Sequence, residues 1–258
     1  MASTIETGHA KNVANLSKFN QFIATLGSSY NPSNAAISAA ALQTLYANAG
    51  AQLTAFHTAF ASWKSATNAR ELAFEPLPKL ATQILGSLQS LALPKQTIDD
   101  FDALVKKFRG KTRKSAQSQP AAQTGTQEER IALPLPESGT VKTISTSQNS
   151  YDNKLQHFEK MLLLLQGIPS YAPNEVPFKI ASLQAQQLSL HTLNDAANAS
   201  YSALRLSRNE RNALFYGSQT GLLDLVKHAK AYIKSIYGAA SPQYRAASNI
   251  KFVKVVAR

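Results

Sequence analysis

The pentapeptide SSYNP at residues 28–32 has a counterpart in the second half of the chain, PSYAP at residues 169–173. Adding 141 to a residue number places Ser29, Tyr30 and Pro32 on Ser170, Tyr171 and Pro173. The same offset holds without a gap for about 45 residues and aligns further pairs: Ala40/Ala181, Leu42/Leu183, Gln43/Gln184, Phe60/Tyr201, Asn68/Asn209, Arg70/Arg211 and Phe74/Phe215. Because a fixed period is the mark of an internal repeat, we predict a tandem duplication of a unit of roughly 105 residues.

The duplication divides the chain into three predicted parts. Residues 1–110 form a first helical repeat, and residues 148–258 form a second one. Between them, residues 111–147 are rich in Gln, Ser, Thr and Pro and poor in aromatic residues. Such a composition is typical of a flexible linker.

Apolar residues at helical spacing predict the same order of helices in both repeats. The first repeat is predicted to contain helices near 11–26, 38–74 and 80–91 and a last helix opening at Thr97; in the second repeat the third helix covers 221–237 and the last opens at Ser241. Ser and Thr favour helix starts, and Pro242 suits a first helical position. The long helices carry the apolar stripes Leu42, Leu45, Ala49, Leu53, Phe56, Phe60 and Trp63, and Leu183, Leu190, Leu193, Ala197, Tyr201 and Leu204.

We therefore predict an all-α fold, in which the two repeats pack as an elongated antiparallel helical bundle about a pseudo-twofold axis. Long helices need partners along their length, and the many alanines of both would allow a close approach. Two independent bundles on a string are the alternative, and the sequence leaves it open.

Composition limits the class of protein. With 258 residues and 44% hydrophobic residues, the chain can bury a core, and because it has no cysteine it has no disulfide or thiolate. The first residues lack the features of a secretory signal, and the longest apolar run, 161–165, is too short to span a membrane. We expect a soluble, cytoplasmic protein.

The charge is positive and uneven. Residues 143–258 hold thirteen Lys or Arg and six Asp or Glu, a surplus of seven within the net charge of +12. A basic surplus favours an anionic partner, although it also simply keeps proteins soluble.

Catalytic motifs are missing. None of the five histidines has a metal-binding spacing, and the sequence contains neither a glycine-rich phosphate loop nor a nucleophile elbow. We predict no enzymatic activity, no cofactor and no metal site.

Two polar patterns are candidate sites. The repeated pair Asn68 and Arg70, with Asn209 and Arg211, could clamp an anion or tie each helix to its neighbours. A basic row on the second repeat could track phosphates or be a solvated face; its members are Arg205, Arg208, Arg211, Lys227, Lys230 and Lys234, and Lys251, Lys254 and Arg258 end the chain.

The segments GHAKNVAN, SYNPSN, ATNARELAF, TIDD and SPQYRAASNIKF together resemble a family of helical hypothetical proteins from Bacteroidetes. The resemblance covers most of both repeats and differs most in the linker. It implies a bacterial origin and a self-contained helical protein. No function is assigned to that family, so the resemblance supplies no site residue.

These observations favour a non-catalytic helical binding or scaffold protein, whose long helices offer a surface to another protein or to its own copies. The alternative is a nucleic-acid-associated protein that uses the basic second repeat. A membrane-remodelling protein is a third hypothesis, although no hydrophobic tongue is visible.

Overall fold

The computed structural model describes residues 8–109 and 150–255, and the predicted linker lies outside them. These two ranges are all-helical and contain no strand. Their α-helices are α1 (His9–Leu26), α2 (Ala39–Phe74), α3 (Leu77–Gln89), α4 (Lys95–Arg109), α5 (Tyr151–Gln166), α6 (Ile180–Tyr216), α7 (Leu222–Tyr237) and α8 (Pro242–Asn249). The prediction of an all-α fold is thus confirmed. No helix of this part of the chain combines the length and the apolar character needed to cross a membrane.

The first long helix begins and ends close to the predicted residues 38–74, and the second contains the whole predicted stripe from Leu183 to Leu204. Helix α2 contains 36 residues and α6 contains 37. The Ser38 hydroxyl accepts a hydrogen bond from the Ala41 amide at 3.2 Å, which satisfies one of the free donors at the start of α2. Helix α6 stops at Gly217, where a Cβ would lie 2.6 Å from the Ala213 carbonyl oxygen. That close approach requires glycine.

The starts of the last helices test the predicted caps. In α8, the Ser241 hydroxyl accepts from the Tyr244 amide at 3.1 Å and Pro242 follows, as predicted. The predicted start at Thr97 is wrong, because α4 begins at Lys95. The Pro94 carbonyl already accepts from the Thr97 amide at 3.1 Å, so that residue lies in the first helical turn.

The described residues form two compact units. The first unit contains residues 8–69 and 195–255, and the second contains residues 70–109 and 150–194. The boundaries fall inside α2 and inside α6. Each unit therefore takes one segment from each predicted repeat.

The core of the first unit joins α1 and the beginning of α2 to the end of α6, α7 and α8. The ring of His9 stands edge-on against Phe215, with 5.1 Å between centroids. Phe19, which is fully buried, meets Phe252 edge-on at 6.3 Å. Edge-to-face packing of this kind adds about 0.5–1.5 kcal/mol to the free energy gained by burial.

The core of the second unit joins the end of α2, α3 and α4 to α5 and the beginning of α6. Tyr151 stands edge-on against Phe74 at 5.0 Å, and Phe158 meets Phe108 edge-on at 6.5 Å. In both units, a ring at the first residue of a helix packs on a phenylalanine near the end of a long helix from the other half of the chain.

The connectors quoted at the outset have the same hydrogen bond. The Tyr30 hydroxyl donates to the Ile37 carbonyl at 2.6 Å, and the Tyr171 hydroxyl donates to the Phe178 carbonyl at 2.9 Å. Both tyrosines are buried. Each phenol thus closes the loop that precedes a long helix.

One part of the predicted apolar stripes is not buried. Leu42, Ala49 and Leu204 are buried as expected. Phe60 and Tyr201, in contrast, are 42% and 47% exposed, so these two positions are not buried, although the Tyr201 ring contacts Trp63 of the other long helix.

The segment after α8 is fixed to α1 by a buried amide. The Asn12 Nδ2 donates to the Val253 carbonyl at 2.8 Å, and the Val253 amide donates to the Asn12 Oδ1 at 3.1 Å. Nearby, Asn15 makes a single bond from its Nδ2 to the Lys251 carbonyl, at 2.7 Å in a more exposed setting.

We predict that Asn12→Ala lowers the free energy of unfolding by about 1–3 kcal/mol, because it leaves two backbone groups without partners where water has little access. The matched control, Asn15→Ala, should cost less than about 1 kcal/mol. Urea unfolding followed by the fluorescence of Trp63, the single tryptophan of the chain and a residue of the same unit, measures both. Equal costs for the two variants would contradict the proposed role of Asn12.

Candidate functional site

A cleft of about 610 Å³ lies between α7, α8 and the segment after α8. Four lysines and two aromatic residues characterise it, and we call it the lysine cleft: Lys227, Lys230, Lys234, Tyr244, Lys251 and Phe252. Its volume is within the range of small-molecule sites in proteins.

The lysines of α7 face the cleft because the opposite side of the helix is buried. The buried residues are Leu222, Leu225, Val226, Ala229 and Ile233. Positions 227, 230 and 234 are three and four residues apart, so they share one side of the helix. The apolar pattern of α7 therefore determines where its cations point.

A tight turn sets the beginning of α7. The Gly221 amide donates to the Gly217 carbonyl at 2.8 Å, and a Cβ on Gly221 would lie only 2.5 Å from the Gly217 nitrogen. The Asp224 carboxylate reaches back to accept the Gln219 amide at 2.9 Å. Asp224 also lines the cleft, where its carboxylate keeps this hydrogen bond to the turn.

Lys230 is half-buried at the base of the cleft. Its ammonium group donates to the Ile250 carbonyl and lies 5.2 Å from the ring centroid of Phe252. Burial, together with the positive charge of Lys251, lowers the pKa of Lys230 to about 8. Lys230 therefore carries a charge that is costly to hold without an anion beside it.

The structure brings together half of the predicted basic row. Lys227, Lys230 and Lys234 line one cleft, and Lys251 joins them from the segment after α8. In the sequence, Lys251 stands out only as one of the basic residues that end the chain. Its position beside α7 depends on how α8 and the following segment pack against that helix. None of the three arginines of the row lines the cleft.

Those arginines lie on α6. The guanidinium of Arg205 is 5.9 Å from the ring centroid of Tyr201, and Arg208 is exposed. Arg211 donates to the Asn212 side chain at 3.0 Å and lies 4.4 Å from the ring centroid of Phe56. Arg211 is thus engaged in packing within the first unit.

The other repeated arginine is also engaged, in the second unit. Arg70 donates from Nη1 to the Asn194 Oδ1 at 3.2 Å, and its guanidinium lies 4.0 Å from the ring centroid of Tyr151. Asn194, which is buried, donates in turn to the Asp152 carboxylate at 2.7 Å. Asn68 and Asn209 are exposed. The contacts of both arginines favour the structural interpretation of the repeated pair.

A second surface feature was missed by the sequence analysis. Phe60, Trp63 and Tyr201 form a row of rings, with centroids 5.8 Å apart between Phe60 and Trp63 and 6.3 Å apart between Trp63 and Tyr201. We call these three residues the aromatic patch. Lys64 lies 4.8 Å from the Trp63 ring, so cations flank the patch on both helices.

Metal ligands do not gather in the described ranges: no group of three His, Asp or Glu side chains is placed to hold an ion there. Comparison with protein-family models, with curated proteins and with solved structures found no match.

The half-buried position of Lys230 predicts that its amine titrates at a lowered pH. Its side-chain NMR signals should follow a midpoint near pH 8 instead of the ordinary value of 10.5, and the amine should be charged below that pH and neutral above it. Lys251→Gln should move the midpoint upward, because it removes a like charge. The control Lys95→Gln, in the second unit, should not. An ordinary midpoint for Lys230 would show that the cleft does not desolvate it.

Proposed function

We propose that the protein is a non-catalytic helical binding protein that recognises an acidic protein partner through the aromatic patch. The observation that carries the proposal is the exposure of Phe60 and Tyr201, at 42% and 47%, in ring contact with Trp63. Three adjacent aromatic side chains on the surface of long helices are characteristic of the residues that dominate protein interfaces.

The charges around the patch support an acidic partner. Lys64 and Arg205 flank the rings, and in the described residues neither forms an ion pair with a carboxylate. A second copy of this chain would bring the same cations, and a net charge of +12, against each other. Self-association is accordingly disfavoured by repulsion, whereas a carboxylate-rich surface would complement the patch.

Three carboxylates of the described residues make structural contacts, which supports the non-catalytic part of the proposal. Asp152 accepts from Asn194, Asp224 accepts from the Gln219 amide, and Asp102 pairs with Lys106 at 2.5 Å.

We also propose that the chain is a tandem duplication whose long helices run antiparallel. The equivalent hydrogen bonds of Tyr30 and Tyr171 support the duplication. Within the first unit, Gln52 of α2 contacts Ser207 of α6, and Trp63, which comes later in α2, contacts Tyr201, which comes earlier in α6. That order is the one that antiparallel helices produce.

A nucleic-acid-associated protein is the second candidate. Rings beside cations are a common platform for stacked bases, and Trp63 with Lys64 and Tyr201 with Arg205 have that arrangement. The first candidate function requires an acidic protein as partner and the second requires a nucleic acid. One crosslinking experiment therefore distinguishes them.

We predict that a photoreactive phenylalanine analogue at Tyr201 crosslinks an acidic protein in lysate, and that the same group at Ala203 does not. Ala203 is exposed on α6 but rotated by about 200° from Tyr201, so it is a matched control. The purified partner should then shield Trp63 from acrylamide quenching. Substitution of Phe60 and Trp63 by serine should abolish the crosslink.

Three results would contradict this proposal. Equal crosslinking from both positions would mean that the patch is not selective. Crosslinks to a second copy of the chain would replace the acidic partner with self-association. Crosslinks to nucleic acid, with Trp63 quenched by a single-stranded oligonucleotide, would favour the second candidate.

A further inference from the structure

We propose that the lysine cleft is a binding site for a small polyphosphate, either free or as the phosphate chain of a nucleotide. This site is separate in its residues from the aromatic patch and does not depend on the function proposed for that patch. Four lysine side chains converge on one cavity of about 610 Å³ from two segments of the chain.

Four lysines and one acidic residue line the cleft, so a surplus of positive charge remains among the described residues. Asp224 is the one acidic residue that lines it, and its carboxylate accepts the Gln219 amide. The lysines that line the cleft have no ion pair in the described ranges. An anion entering the cleft would therefore meet several ammonium groups without first having to displace a carboxylate.

Lys230 makes the cleft more than a row of surface lysines. Its ammonium group is half-buried, and its contact with the Ile250 carbonyl uses one of three donors. The remaining donors, close to the positive charge of Lys251, have no acceptor in the described residues. Oxygen atoms of a phosphate would supply both the missing acceptors and the missing negative charge.

The spacing of the cations indicates how many phosphates fit. Lys227 and Lys234 are seven residues apart on α7, which corresponds to about 10 Å along the helix axis. Lys230 lies between them, and Lys251 faces them from the other segment. A chain of two or three phosphates has the length to follow this row of cations.

The walls of the cleft favour a small ligand over a nucleic-acid strand. Tyr244 and Phe252 bound the cavity, and the Lys234 and Lys230 ammonium groups lie 5.8 Å and 5.2 Å from their ring centroids. Because Lys230 is half-buried beside the Phe252 ring, its attraction for phosphate is screened less than that of an exposed lysine. A strand would instead need a continuing track of cations, and the arginines of α6 do not line this cavity.

The binding should depend on pH through Lys230. The titratable groups that face it are Lys227 and Lys234 of α7, Lys251 and Tyr244 opposite, and the capped carboxylate of Asp224. A bound polyphosphate stabilises the charged amine, so the pKa of Lys230, about 8 in the free protein, rises on binding. Affinity should accordingly fall by up to about tenfold between pH 7 and pH 9.

Isothermal titration of the full chain with inorganic tripolyphosphate, ATP and a single-stranded oligonucleotide, at physiological salt, tests the proposal. We expect both small polyphosphates to bind. The double variant Lys227→Gln with Lys234→Gln should weaken binding at least about tenfold, equivalent to about 1.4 kcal/mol. Both side chains are exposed, so the variant should fold. The control with the same loss of charge is Lys79→Gln with Lys95→Gln in the second unit, and it should change affinity less than about twofold.

Each alternative outcome overturns the proposal. Equal loss of affinity in the cleft variant and in the control would show binding to charge in general. Tight binding of the oligonucleotide, without binding of either small polyphosphate, would assign the cleft to nucleic acid. The NMR midpoint of Lys230 gives an independent readout: a midpoint that does not rise with saturating tripolyphosphate would place the ligand elsewhere.

Discussion

The fold depends on how the first ring of one helix packs against the end of a long helix from the other half of the chain. His9 packs edge-on against Phe215, and Tyr151 packs edge-on against Phe74. Both phenylalanines are almost completely buried, so neither long helix could end in solvent at that point without exposing a large apolar surface. The core around the end of each long helix therefore combines residues of its own half with residues supplied by the other half.

The lysine cleft also depends on contacts between the two halves of the chain. Its far wall is the segment after α8, which Asn12 of α1 fixes through two hydrogen bonds to Val253. Asn15 holds the Lys251 carbonyl, and Lys230 holds the Ile250 carbonyl. A helix from the first half of the chain thus positions a basic surface that belongs to the second half.

Much of the helical order could be predicted from the sequence, because it is set by local spacing. The long helices and the cap of α8 at Ser241 follow from apolar periodicity and from side chains that satisfy neighbouring amides. The exposure of Phe60 and Tyr201 could not be predicted from the sequence, since an exposed ring and a buried ring have the same helical spacing. The position of Lys251 beside α7 could not be predicted either, because the proximity of Lys251 to Lys230, which are 21 residues apart, depends on tertiary packing and not on sequence pattern.

Each compact unit needs both halves of the chain. Cleavage of the full-length protein at a protease site inserted within residues 111–147, followed by gel filtration and thermal unfolding, tests this dependence. The two fragments should elute together as one complex and unfold in a transition close to that of the uncut protein. Separation into two folded fragments, each with its own cooperative transition, would contradict it and would support two independent bundles.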